Sequence, residues 1–117
     1  MNRLGIAGAM WLVAGGSAIA TTIIFRTDPA QIVVTSSVGV VAAILGVWLM
    51  ARPNALAVSA SNVVTVAWIA LYAVLTVQQA DEIAAWATDV FLILLGVVAG
   101  VAVYRAAPSA KVGRTIA

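Results

Sequence analysis

The side chains able to do chemistry are few. The chain has no Cys and no His, and its only acids are Asp28, Asp81, Glu82 and Asp89. Disulfides, thiolate metal sites, cysteine nucleophiles and imidazole bases are therefore out of reach. No Gly-rich phosphate loop is present, and a net charge of +2 spread along the chain makes no nucleic-acid surface. The expectation is a protein that is not an enzyme, with no catalytic residue, no cofactor, no metal ion and no nucleic-acid partner.

Asp89 stands apart from the other three acids because apolar sequence surrounds it. It precedes Val90-Phe91-Leu92-Ile93-Leu94-Leu95, about 12 Å along a helix from Asp81 at about 1.5 Å per residue. An Asp at the centre of a membrane helix costs about 2.5–3.5 kcal/mol, and each Leu, Ile, Val or Phe returns roughly 0.3–0.6 kcal/mol. The residues between Ile83 and Val103 can carry that cost. An intramembrane acid is a functional-site candidate by default. The competing role is a polar contact with Thr21, Thr22, Ser36, Ser37, Tyr72 or Thr76, or with Arg26 reaching down.

A second pattern lies upstream. Ser59, Asn62, Thr65, Tyr72, Thr76 and Gln79 follow steps of three, three, seven, four and three, which places them on one side of a helix. Lipid penalises an unpaired Asn62 or Tyr72, so this polar stripe is expected to point into a helix bundle or a partner, as a hydrogen-bonded seam or as the lining of a hydrated route.

These residues need elements to hold them, and composition fixes the kind. The 117 residues are 64% hydrophobic and 9% charged, with a mean hydropathy of +1.13. Soluble domains carry about 25% charged residues, so this chain belongs in a bilayer. Four apolar runs, 4–25, 31–50, 56–77 and 83–104, are each near the roughly 20 residues that a helix needs to cross a hydrocarbon core about 30 Å thick. Membrane strands would require alternation over about 10 residues, which Val97-Val98-Ala99-Gly100-Val101 lacks. Ala18-Ile19-Ala20 imitates a signal-peptide cleavage site, but the apolar run continues to Phe25 and reads as a span.

The expected fold is an all-α membrane protein with four transmembrane helices in an up-down-up-down bundle. A single domain covers 1–104, and a short, basic, flexible tail covers 105–117. Five-residue loops make consecutive helices antiparallel neighbours, and Asp28-Pro29 and Pro53-Asn54 supply turn and cap residues. Arg3, Arg52, Arg105, Lys111 and Arg114 fall on one side against Arg26 on the other, so the positive-inside rule places both termini in the cytoplasm. Phe25 and Trp86 mark the outer boundary and Trp48 and Tyr104 the inner one. Trp11 and Trp68 lie deeper and are expected to pack between helices.

Small residues permit close helix approach. Gly96 and Gly100 form a GxxxG; Gly39 with Ala43, Ala42 with Gly46, Gly5 with Ala9 and Gly16 with Ala20 repeat the spacing. Bundle contacts are the expected use, with homodimerisation the other. The two halves also echo each other, with Met10-Trp11-Leu12 in the first and Ala67-Trp68-Ile69 in the second.

In size and helix number the chain is similar to the small multidrug-resistance transporters, which resemblance would imply an essential Glu in the first helix. Leu4 to Phe25 contains no acid, so the likeness ends at size. The functional expectation is a structural or accessory component of the cell membrane, in contact with lipid and with either a copy of itself or a larger complex. The alternative is an oligomeric transporter or channel that uses Asp89. The abundance of Ala, Val and Arg over Lys suggests a GC-rich bacterial source.

Overall fold

Local capping sets the helix boundaries. Asp28 is extended (φ −74°, ψ 120°) and its carboxylate accepts the Ala30 N–H, while Pro29 occupies the first turn, where a missing N–H costs nothing. Asn54 repeats the device: its Oδ1 accepts the Ala57 N–H at 2.9 Å. The computed structural model describes the backbone of residues 3–78 and 81–116 and the side chains of 3–78 and 81–106. It contains α1 (Arg3–Phe25), α2 (Pro29–Ala51), α3 (Ala55–Gln78) and α4 (Ile83–Ile116), with no strand among the described residues. All four helices are long and apolar enough to cross a membrane, α4 over Ile83–Ala106.

One boundary differs from expectation. A helix ending at Tyr104 and a flexible tail were expected, yet α4 continues to Ile116. The segment after Tyr104 holds Arg105, Ala106, Ala107, Ala110, Lys111 and Arg114; these strong helix formers outweigh the breaks offered by Pro108 and Gly113. Gln79 and the tail side chains, Lys111 and Arg114 included, lie outside the described residues.

The helices pair as two hairpins. α1 packs most extensively on α2, and α3 on α4; α1 also lies along α4, while α2 and α3 touch only lightly. In the first hairpin Gly8 faces Gly46 and Gly15 faces Gly39, so residue numbers rise along α1 as they fall along α2. A Cβ on Gly15 would stand 2.5 Å from the Gly39 carbonyl oxygen, and one on Gly46 would stand 2.5 Å from the Gly8 carbonyl oxygen. The backbones therefore touch directly. This corrects the choice of Gly16 with Ala20 on α1: both are exposed, and Gly16 has open space around it. The contact residues Gly8 and Gly15 are seven apart, two helical turns, a spacing that a search for four-residue pairs passes over.

Gly15 and Gly16 thus make a matched test. Gly15→Ala is expected to destabilise the chain by about 1–3 kcal/mol through overpacking against backbone that cannot yield. Gly16→Ala is expected to be neutral or to stabilise by up to about 1 kcal/mol through helix propensity. Thermal unfolding of both variants in the same detergent reads the difference.

Candidate functional site

Arg26 follows the last residue of α1, and its N–H still bonds to the Thr22 carbonyl at 3.2 Å. The Asp28 cap turns the chain sharply behind it. Its side chain consequently folds over the end of the bundle rather than away from it. Nη2 donates to Asp89 Oδ1 on α4 at 2.5 Å, and Nη1 donates to Gln31 Oε1 on α2 at 3.2 Å. The guanidinium carbon lies 5.9 Å from the centroid of the Tyr72 ring on α3, within cation–π range. One side chain attached to α1 therefore reaches the other three helices.

The pair is sealed. The Arg26 side chain is 4% exposed and that of Asp89 is 0%. Asp89 is thus buried in the bundle and carries its counter-charge with it. The group is also incompletely satisfied: Asp89 Oδ2, Arg26 Nε and the Tyr72 hydroxyl are buried without a hydrogen-bond partner. A low dielectric strengthens the bonds that form and raises the cost of those that do not.

Above the pair, on the side of the loops that join α1 to α2 and α3 to α4, a cavity of about 270 Å³ opens. Asp28, Asp81, Glu82, Gln31, Gln78 and Thr88 line it, with Arg26 and Asp89 at its limit. Below the pair the axis is filled. Tyr72, Trp68 and Trp11 are each fully buried; Tyr72 lies 5.0 Å from Trp68 between centroids, and Trp68 meets Trp11 at 5.7 Å and 75°, edge to face. Both indoles satisfy their N–H groups, Trp68 on the Leu92 carbonyl at 2.7 Å and Trp11 on Ser61 Oγ at 3.0 Å. Thr22 and Thr35 add a hydroxyl pair at 2.7 Å between α1 and α2.

Trp68 reaches the Leu92 carbonyl because Gly96 stands one turn further along α4. A Cβ there would overlap the indole ring. Gly100 leaves the same room for Thr65, whose Oγ1 and Cγ2 would lie 2.5 and 2.6 Å from an added Cβ. On α2, Gly39 and Gly46 receive α1. All four of these glycines, Gly39, Gly46, Gly96 and Gly100, therefore sit at helix contacts inside the chain.

The polar stripe of α3 is divided rather than gathered. Only Tyr72 is buried; Thr65 and Thr76 are half-buried; Ser59 and Asn62 are exposed. The threonine hydroxyls bond within their own helix, Thr65 to the Ser61 carbonyl and Thr76 to the Tyr72 carbonyl, each at 2.7 Å. Among the described residues of the stripe, no hydrogen-bonded seam runs between helices. The reason is angular: at 100° per residue the six positions fan over more than a third of the helix circumference, and the bundle covers just one edge of that fan. The buried face is Val58, Ser61, Trp68, Tyr72 and Leu75. Ser61, the partner of Trp11, lies off the six-residue stripe, and its steps of three from Val58 and seven to Trp68 are the signal that marks it.

Phe25, Trp86 and Tyr104 are exposed near the ends of the membrane-spanning lengths, as aromatic anchors would be. The described residues hold no cluster of three or more acidic, His or Cys side chains that could bind a metal ion. In comparisons with known proteins, no family model, no curated protein and no solved structure matches the chain.

Proposed function

We propose that this chain is an accessory component of the cell membrane, with both termini in the cytoplasm, acting through helix–helix packing and carrying out no enzymatic reaction. The observation that carries this reading is the state of Asp89: the one acid well inside a span is neutralised by Arg26, and Tyr72, Trp68 and Trp11 fill the axis beneath it. A carrier carboxylate must exchange its partner for a substrate and needs a path on both sides. A buried ion pair at the end of a filled bundle suits fixing helix order instead.

The second reading, an oligomeric transporter or channel using Asp89, draws support from the acidic cavity that ends at this residue. Proteoliposomes separate the two. Wild type and Asp89→Asn are both expected to show proton and cation flux equal to that of protein-free vesicles. Flux above that level in wild type, abolished by Asp89→Asn, would overturn the packing role in favour of transport.

A further inference from the structure

Asn62 lies seven residues into α3, about 10 Å from its start at about 1.5 Å per residue. It is exposed, and its side-chain amide finds no hydrogen-bond partner among the described residues. Its short side chain cannot reach back from that depth to water. An amide left in hydrocarbon is costly, because lipid tails offer neither donors nor acceptors. Around it Ser59, Asn62, Val66, Ile69 and Ala73 are all exposed and follow steps of three, four, three and four. That is the three-and-four spacing of a helix–helix seam. α3 is also the least covered of the four spans.

We propose that this face of α3 is the contact between two copies of the chain, related by a two-fold axis along the membrane normal. The amide identifies the occupant. Copies with the same charge bias insert the same way up, so Asn62 of one copy meets Asn62 of the other at equal depth. A carboxamide both donates and accepts, which makes that pair self-complementary in an isologous interface. Ser59 and Ala73 are small and let the backbones approach on either side of it. The proposal names the partner for the packing role above and rests on that reading.

The absence of native Cys makes the test direct. Single replacements N62C, V66C, I69C and A73C, and the off-face controls L56C, A67C and V74C, are oxidised in membranes and the cross-linked dimer is quantified. Cross-linking is expected to peak at V66C and I69C, which keep the Asn62 amide, and to follow the three-and-four spacing, with N62C weaker than these because it removes the amide. In parallel, Asn62→Leu should weaken self-association by about threefold to thirtyfold, as loss of an intramembrane polar contact does, read by energy transfer between labelled copies diluted in lipid. Asn62→Gln should retain part of it. Asn62 lies outside the bundle, so these changes leave the fold intact. V66C and I69C cross-linking no better than A67C, or undiminished association of Asn62→Leu, would overturn the Asn62-centred interface while leaving the packing role standing. Transport flux would overturn the packing role whatever the cross-linking shows.

Discussion

Arg26→Gln is expected to destabilise the bundle by about 3–5 kcal/mol, the range for removing one member of a buried ion pair, and to do so more severely than Asp89→Asn. The asymmetry follows from reach. When Asp89 is replaced, Arg26 keeps a long side chain at the very end of α1 and can swing outward to water or headgroups. When Arg26 is replaced, Asp89 is held within α4 with its side chain fully buried, and so short a side chain has far less reach toward water. The double variant Arg26→Leu/Asp89→Leu should lie closer to wild type than Arg26→Gln, because apolar pairs of similar volume often replace buried ion pairs at little cost. Thermal unfolding of the four proteins in lipid nanodiscs checks the order. Equal loss in the two single variants, or a double variant as unstable as their sum, would contradict it.

Gly96→Ala should approach the effect of removing Trp68 altogether. The added methyl would occupy the space of the indole, displacing it from the Leu92 carbonyl and parting it from Trp11 and Tyr72. Trp68→Ala itself is expected to cost about 3–5 kcal/mol, as buried aromatic truncations do. Most single Gly→Ala changes within helices gain up to about 1 kcal/mol from propensity, so a large loss at Gly96 isolates the packing term. Tryptophan fluorescence offers a second readout: a displaced Trp68 should shift its emission, whereas Gly16→Ala should leave the spectrum unchanged.

Much of this was legible from the sequence, and the reason differs by level. Helix number and approximate span boundaries follow from composition, since a run of apolar residues near 20 long has few alternatives. The isolation of Asp89 was visible because charge is rare in this chain, and Arg26 could be named as a reachable partner because it follows α1 directly. What the sequence did not show was rotation. Whether Ser59 and Asn62 or Ser61 faces the core is a rotation of about 100–160° about the α3 axis at about 3.6 residues per turn, and in lipid the outward face is as apolar as the inward one, so hydrophobic periodicity cannot decide it. The same ambiguity hid Gly8 and Gly15 behind Gly16. The continuation of α4 past Tyr104 was obscured by Pro108, whose local preference yielded to its neighbours.

The hub at Arg26 also has a consequence in time. The α1–α2 hairpin closes on its own glycines and hydroxyls, so it can leave the translocon as a packed unit while the ribosome is still making α3. Arg26 and Asp89 are 63 residues apart, an interval of roughly 3 to 13 s at about 5–20 residues per second. For those seconds the arginine has no carboxylate on α4 to meet. The ion pair thus waits for the last helix to be made, and a chain cut short before Asp89 would leave the arginine without its partner.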